Sequence, residues 1–304
     1  GLWTYRLDNG NLLYLGKPPD PEPKFEAWER FRGGAVLEVD WDGRVLWEVR
    51  HPDHHHDARL LRNGNVLLLC LEPVPPDLAA RVQGGVPGTE AKGGIMYADV
   101  VREMTTSGEI VWEWRAWEHL DPATATITPQ DHRAEWTHGN TVDETPDGDI
   151  LVSFRNISTV AIVDRRSGEI TWQVGPELVA QQHQPQILEN GNLLVFDNGT
   201  HRRHDPRTFS RVLEIDPATK QPVWTYQDQP VFNFYSAYIS GAQRLSNGNT
   251  LIVEGITGRI FEVTREGATV WEYVNPYFGY HWTLGENNWL FRAQRYGSDA
   301  FPRA

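Results

Sequence analysis

Short apolar runs alternate with polar positions along the whole chain, and tight turn signals separate them. Asn-Gly or Asp-Gly dipeptides supply the positive φ angles that a two-residue hairpin turn requires. The pattern therefore predicts a β-hairpin at each such turn. The turns are Asn9-Gly10, Asn63-Gly64, Asp147-Gly148, Asn190-Gly191, Asn247-Gly248 and a degenerate sixth, Asn287-Asn288.

A second signal, a tryptophan between alternating apolar residues, recurs between the turns. This pattern is typical of a half-buried strand. The tryptophans are Trp3, Trp47, Trp112, Trp172, Trp224 and Trp271. The shorter turn intervals, 43 and 40 residues, match a four-stranded propeller blade. We predict an all-β fold in which residues 1–304 form a single six-bladed β-propeller domain, with the Trp3 strand and the Trp289 strand sharing one blade.

Two longer intervals contain insertions, residues 72–94 and 115–136, which are rich in Pro, Gly, Ala or Thr. Long loops on a compact scaffold are functional lids or plain decoration. Either role is open for these two. The best helix candidate, PPDLAARVQ, is short and flanked by Pro and Gly.

Composition narrows the classes of partner. The formal net charge of -13 argues against nucleic acid and anionic membrane, since both are polyanions. Cys70 is the only cysteine, so no internal disulfide forms. The sequence has no long apolar span, which indicates a soluble protein, either cytoplasmic or exported after removal of a leader. We expect a small-molecule partner and no cofactor, and the oligomeric state is open.

Three histidines precede the turns at related distances. His56 and His183 stand seven residues before the turn Asn, and His138 stands nine residues before Asp147. Because side chains in a strand alternate with period two, these spacings predict the same orientation for all three. In a ring of blades, such positions meet at one mouth of the central channel. We expect a pocket of imidazoles there.

Register adds further residues to this pocket. With a two-residue turn at Asp147-Gly148, Arg155 lies opposite Asn140 and diagonal to His138. The same ladder places Asn198 opposite His183. In the later repeats, Tyr238 and His281 occupy nearby positions.

Four motifs resemble the arylsulfotransferase family. They are HHDARLLRNGNVLLL, HGNTVDETPDGDILVSFRN, DRRSGEITWQVG and QHQPQILENGNLLVFDNG, and the resemblance extends over roughly residues 35–275. The family consists of propeller enzymes that move a sulfuryl group from an aryl sulfate to a phenol without a nucleotide donor. The resemblance is to a shorter, propeller-only branch, without the extra N-terminal β domain and the disulfide that the longer members carry.

The resemblance implies roles for individual residues. His183 matches the histidine that becomes sulfated, and His138 and Arg155 match the assisting pair. His56 matches the remaining histidine, with His55 as the alternative. A neutral imidazole can attack sulfur, and Arg155 with the other histidines would hold the three sulfuryl oxygens. We expect His55, Asn198, Tyr238 and His281 to contact the aromatic substrate.

Two other readings stay open. Converging imidazoles also suit a metal-dependent hydrolase or lyase, with Asp57 and Asp197 supporting the ligands, although a fixed Arg155 charge disfavours a dication. A non-catalytic propeller that binds a ligand is the third reading. We predict no bound metal at these histidines.

Overall fold

The computed structural model describes residues 3–19, 23–281, 285–297 and 300. Within them the chain forms five four-stranded sheets, whose strands follow one another along the chain except for one short strand inserted within the second sheet. The first sheet contains β1 Thr4–Arg6, β2 Leu12–Gly16, β3 Ala35–Val39 and β4 Val45–Arg50. The second contains β5 His54–Leu60, β6 Val66–Pro73, β8 Tyr97–Met104 and β9 Ile110–Arg115. The third contains β11 Gly139–Glu144, β12 Ile150–Phe154, β13 Thr159–Val163 and β14 Ile170–Val174. The fourth contains β15 His183–Ile187, β16 Leu193–Asp197, β17 Arg211–Asp216 and β18 Gln221–Tyr226. The fifth contains β19 Gly241–Arg244, β20 Thr250–Glu254, β21 Arg259–Val263 and β22 Thr269–Val274.

The remaining elements are short. The strands outside the five sheets are β7 Gly84–Val86, β10 Ile127–His132, β23 Gly279–His281 and β24 Gly285–Asn287. The helices are α1 Trp28–Phe31, α2 Pro76–Ala79 and α3 Ala116–His119, with 3₁₀ turns at Val231–Asn233 and Gly255–Thr257. In the part of the chain that the structure describes, no helix is long and apolar enough to cross a membrane.

Sequential four-stranded sheets are the blades of a β-propeller, so the fold is an all-β propeller. The described residues form five blades, and the prediction of six is wrong. Asn287 ends β24, and Trp289 lies outside any strand. The segment after it bonds to the fifth sheet region, where the amide of Ser240 donates to Phe291 O. A sixth blade is therefore not built from these residues.

The predicted sharing of a blade by the two terminal strands is also wrong. The strand after Trp3, β1, is the first strand of a complete sheet, whereas Trp47 lies in the fourth strand of that sheet. The prediction equated Trp3 with Trp47. Each Asn-Gly turn joins the first strand to the second, so a strand that directly precedes such a turn belongs to the new blade.

The hairpin turns have three-residue loops and not two-residue loops. In the second sheet, the amide of Leu61 donates to Asn65 O and the amide of Gly64 donates to Leu61 O. Only the glycine of this loop has a positive φ, 84°. This is the type I turn followed by a left-handed residue, the next most common hairpin loop. The extra loop residue moves every predicted pairing by one position.

A recurrent contact explains why the turns read Asn-Gly-Asn. In four of the five sheets, the side-chain amides flanking the glycine donate to one oxygen of a glutamate on the third strand, at 2.6–3.1 Å. We call this contact the Asn-Glu clamp. Its members are Asn9 and Asn11 with Glu38, Asn63 and Asn65 with Glu103, Asn190 and Asn192 with Glu214, and Asn247 and Asn249 with Glu262. The third sheet has Asp147, Asp149 and, at the glutamate position, Ile162.

The chain divides into two compact units, and the boundary runs through the sequence of the third sheet. The first unit contains residues 1–157, 162–171 and 298–304, and the second contains residues 158–161 and 172–297. The prediction of one domain over residues 1–304 stays a prediction. Within the second unit, Phe234 is fully buried in the core with Phe196 and Phe261.

The two insertions pack against each other within the first unit. Strands β7 and β10 pair in parallel, and Arg133 donates to Glu90 and to the carbonyls of Val82 and Gly84. The tryptophan that ends the second insertion, Trp136, is fully buried. The backbone after β10 then leads directly to His138.

Candidate active site

His183 begins β15 in the second unit, and its ring is held by a defined set of partners. Nδ1 lies 2.8 Å from Asn198 Oδ1 and 3.1 Å from Gln181 O. The amide nitrogen of Asn198 donates to the carbonyls of Ser236 and Ile239, at 2.8 Å and 3.0 Å. Since carbonyls only accept, the NH₂ group must face them, and Oδ1 must face the histidine. Nδ1 therefore carries a proton, and the lone pair of the neutral ring lies on Nε2.

The backbone around His183 is irregular where the strand begins. Gln181 and Gln184 have φ angles of 54° and 48°, in the left-handed region that non-glycine residues rarely adopt. The amide of Gln181 donates to Ser158 Oγ at 3.1 Å, and Gln182 Nε2 donates to Thr159 O at 3.0 Å. Strained conformations persist where surrounding contacts fix them, and they cluster at functional sites.

The first unit contains a separate group that we call the histidine cluster: His55, His56, His138, Asp99, Glu135 and Arg155. The rings of His56 and His138 lie 4.7 Å apart, edge to face. The Nδ1 atoms of His55 and His56 are 2.8 Å apart, so one of these nitrogens donates to the other. Helix α1 places Phe31 against both His56 and His138, with ring centroids at 4.6 Å and 4.8 Å.

Two buried carboxyl groups support the cluster. Asp99 accepts the amide of Gly139 at 2.7 Å and the hydroxyl of Thr137, and its other oxygen lies 3.1 Å from His55 Nε2. Glu135 Oε2 lies 2.8 Å from His138 Nδ1. Burial raises the pKa of Glu135 to about 8. Burial also lowers the pKa of His138 to about 3, because the charged ring loses its hydration and faces Arg155.

Arg155 lies directly across from His138. Its backbone amide donates to His138 O at 3.1 Å, and its Nη1 donates to Asp131 and Asn156, both at 2.9 Å. The predicted register, with Arg155 opposite Asn140, is wrong for two reasons. The turn has one more loop residue than assumed, and a bulge lies between Gly139 and Thr141. The two displacements together bring Arg155 beside His138.

The predicted common parity of the three histidines does not describe the structure. His56 and His138 have φ angles of 49° and 52°, whereas the left-handed residue beside His183 is Gln184. Each of these strands has a register shift at this point, and a bulge changes which side chains share a face. The contact between His56 and His138 arises from these bulges and not from alternation.

The residues that were expected to contact the aromatic substrate differ in burial and in their neighbours. His55 is fully buried between Asp99 and His56, and Asn198 is fully buried against His183, so each supports a neighbouring ring. Tyr238 packs edge to face on Trp289 at 5.2 Å. His281 ends β23, and its side chain lies outside the described part of the chain.

Other sequence interpretations are corrected. In the HPDHHHD segment, β5 begins at His54, and this residue is fully buried. Asp57 accepts the hydroxyl of Tyr5, and Asp197 pairs with arginines on its own sheet and loop, so both are structural anchors. Among the described residues, no three His, Cys, Asp or Glu side chains are grouped as metal ligands would be.

Sequence reasoning missed Phe31, Asp99, Asp131 and Glu135. Asp131 and Glu135 belong to the second insertion, which shows that this loop contributes to the cluster. The one signal for Glu135 was its position three residues before His138. Phe31 and Asp99 gave no local signal, since they reach the cluster through the packing of distant segments.

Comparison with known proteins decides the family. The family model described as arylsulfotransferase (ASST) matches residues 28–276, which is most of the chain. The chain belongs to the arylsulfotransferase family. This confirms the resemblance inferred from the four motifs. The matched range contains His56, His138, Arg155 and His183 of this arylsulfotransferase family member. No curated protein sequence matches it significantly.

Solved structures resemble this arylsulfotransferase family member in fold alone. A protein of unknown function from Bacteroides caccae is 16% identical, with a TM-score of 0.53 over 88% of this chain and 79% of that one. Virginiamycin B lyase from Staphylococcus aureus is 13% identical, with a TM-score of 0.44 over 80% of this chain and 64% of that one.

Proposed function

We propose that the protein transfers a sulfuryl group from an aryl sulfate to a phenolic acceptor through a sulfated histidine, without a nucleotide donor. His183 is the nucleophile. Arg155, His138 and His56 stabilise the charge on the sulfuryl oxygens. Family membership supports a transferase, and the setting of His183 supports its assignment as the attacking group.

The observation that carries this proposal is the pair of carbonyls bound to Asn198. They determine the orientation of the amide, and the amide determines the tautomer of His183. A neutral imidazole with its lone pair on Nε2 is the form that attacks sulfur, because the lone pair becomes the N–S bond. Nδ1–H then faces an oxygen while positive charge develops on the ring.

Arg155 is suited to the transferred group because its guanidinium is rigid, charged and anchored. Asp131 and Asn156 fix one end of it. The sulfuryl oxygens therefore meet preorganised donors. Such donors stabilise a developing anion without reorganisation, which is commonly the largest contribution to catalysis.

The aromatic part of donor and acceptor requires an apolar surface. Tyr238, half-buried and braced edge to face by Trp289, is the residue we assign to this role in the second unit. Its aromatic face can stack on a phenol ring. Tyr238→Ala is expected to raise KM for the aryl substrate more than it lowers kcat.

The direct test is incubation with p-nitrophenyl sulfate and a phenol. Release of nitrophenol with ping-pong kinetics is expected, since a covalent intermediate divides the transfer into two steps. His183→Ala should abolish release, whereas His204→Ala, an exposed histidine of the same unit, should leave it unchanged. Without acceptor, the peptide containing His183 should gain the mass of a sulfuryl group.

Arg155→Ala tests whether the two groups of residues act in one reaction. We expect a loss of about two to three orders of magnitude in kcat/KM, the usual effect of removing one preorganised donor. Arg155→Lys should recover only part of the lost kcat/KM, because the compact ammonium group of lysine cannot replace the planar set of guanidinium donors. No turnover across a panel of aryl sulfates, with stoichiometric metal in the purified protein, would contradict the proposed function.

A further inference from the structure

The carboxyl group of Glu135 occupies an unusual position for an acid. Its side chain is 7% exposed, and Oε2 lies 2.8 Å from His138 Nδ1. The second oxygen, Oε1, is buried and has no hydrogen-bond partner among the described residues. An ionised carboxylate would need donors at both oxygens in such surroundings. The geometry therefore favours a neutral carboxylic acid.

Four other titratable or charged groups influence Glu135 and His138. They are His55, Asp99, Arg155 and Asp131. Burial raises the pKa of Glu135 to about 8, with Asp99 and Asp131 adding to the rise and His55 and Arg155 opposing it. Burial lowers the pKa of His138 to about 3, with Arg155 and His55 adding to the fall. Both groups are thus neutral at pH 7.

The unpartnered oxygen determines where the acidic proton lies. A proton on Oε1 would be a buried donor without an acceptor, whereas a proton on Oε2 is donated to His138 Nδ1. Nδ1 then accepts, so the proton of neutral His138 lies on Nε2. Glu135 and His138 therefore form a relay through which a proton can pass from the acid to a group bound at Nε2.

We propose that Glu135 is the proton reservoir of the transfer reaction and supplies the leaving phenolate through His138. This inference rests on the proposed function. Glu135 does not touch the substrate, so it acts as a positioning and proton-storing residue behind His138. The side chain of His138 is 15% exposed, compared with 7% for Glu135.

The proton balance is complete without any further reactant. In the first half-reaction, the S–O bond to the aryl group breaks as the N–S bond to His183 Nε2 forms. The aryl oxygen takes the Nε2 proton of His138, and Nδ1 of His138 takes the proton of Glu135. In the second half-reaction, the acceptor phenol oxygen attacks sulfur and gives its proton to His138 Nε2. The N–S bond then breaks, and Nδ1 returns its proton to Glu135.

The experiment compares Glu135→Gln with wild type on p-nitrophenyl sulfate and on unsubstituted phenyl sulfate. Glutamine still donates to Nδ1 and keeps the same tautomer of His138, but it cannot release a proton. Nitrophenolate is a good leaving group and needs little protonation. We expect less than about a threefold loss of kcat/KM for the nitrophenyl ester and about a 100-fold loss for the phenyl ester. Glu118→Gln, an exposed residue of the same insertion, is the matched control and should change neither.

The pH profile gives a second measurement that does not depend on the variant folding. In ping-pong kinetics, kcat/KM for the donor reports only the first half-reaction, so ionisation of the acceptor does not enter. With wild type, the ratio of phenyl to nitrophenyl kcat/KM should fall as pH rises through about 8, where Glu135 loses its proton. In Glu135→Gln the ratio should stay low and independent of pH.

The outcomes separate this inference from the proposed function. Equal losses on both esters, or a wild-type ratio that does not change with pH, would contradict the role of Glu135 as proton reservoir. Neither result would contradict sulfuryl transfer itself. Absence of turnover by wild type on either ester would overturn the proposed function, and the reservoir with it. A carboxylic acid band in the infrared spectrum that disappears near pH 8 and is missing in Glu135→Gln should accompany the expected result.

Discussion

Nδ1 of His183 donates to Oδ1 of Asn198, and the opposite side of that amide is bound by two backbone carbonyls. The two backbone carbonyls therefore fix the orientation of the Asn198 amide, and the amide fixes which ring nitrogen of His183 carries the proton. An aspartate could not replace it, since a carboxylate would face two carbonyl oxygens. The side chain at position 198 must therefore be an amide, which donates to the carbonyls and accepts from His183.

Asn198→Ala should lower kcat by about 10- to 100-fold with little change in KM, because the ring of His183 loses the partner that fixes its tautomer. Gln181 O, at 3.1 Å from Nδ1, would retain part of the orientation. Steady-state kinetics with p-nitrophenyl sulfate measure the effect. Asn233→Ala, an exposed amide of the same unit, is the control. An unchanged kcat would show that Asn198 does not orient His183 for the proposed reaction.

The Asn-Glu clamp should contribute measurably to stability. Glu214 is almost completely buried and accepts from Asn190, Asn192, Arg244 and Arg265. Glu214→Ala leaves these donors without their shared acceptor, and we expect a loss of about 2–4 kcal/mol in the free energy of unfolding. Urea titration measures it. Glu189→Ala, exposed in the same turn, should cost less than about 0.5 kcal/mol. Equal losses of unfolding free energy in the two variants would show that the clamp does not stabilise the fold.

The buried histidine His54 should make stability depend on pH. Burial lowers its pKa to about 3 from the ordinary 6.5, so the unfolded chain binds one more proton than the folded chain between these values. Stability therefore falls as pH falls through this window, by about 1.4 kcal/mol per pH unit for one proton. In His54→Asn, where Oδ1 can accept the amide of Gly34, the dependence should be shallower by that amount. Denaturant titrations at pH 4.5–6.5 test it, with exposed His204→Asn as the control, whose slope should match wild type.

The Cys70 thiol should not react with thiol reagents in the native protein. Its thiol is fully buried, and burial raises its pKa to about 12, so almost no thiolate forms at neutral pH. Ellman's reagent should label less than about a tenth of the protein under native conditions. It should label one thiol per chain in urea. Rapid native labelling would show that the second sheet opens far more readily than its burial implies.

Much of the fold could be read from the sequence because the blades are local structures. Each hairpin, with its turn glycine and its alternating apolar positions, lies within a few tens of residues, so propensity and periodicity report it directly. The number of blades could not be read in the same way. Trp3 and Asn287-Asn288 match the repeat pattern, but Trp3 leads into the first strand of the first sheet, and the segment after Asn288 bonds to the fifth sheet region.

The candidate site was only partly predictable for a related reason. The side chains of His183 and Asn198 are hydrogen-bonded across one hairpin, so the predicted proximity is confirmed. The predicted pairing is wrong, because the ladder places Phe196 opposite His183. Glu135 and Phe31 reach His138 from an insertion and from α1, and no local pattern encodes where such segments fold back. The bulges at His56 and His138 were also hidden, since an extra residue in a strand leaves no composition signal.

The left-handed backbone at His56 and His138 makes these two positions unusual hosts for truncation. In an ordinary strand, glycine is less stable than alanine, but at φ angles of 49° and 52° a Cβ is itself a source of strain. His138→Gly therefore deletes the ring while leaving the backbone in a conformation that glycine adopts readily. Removal of the ring leaves a space beside Phe31. We therefore expect free imidazole, added to the solution, to bind there in His138→Gly and to restore part of the proposed sulfuryl transfer.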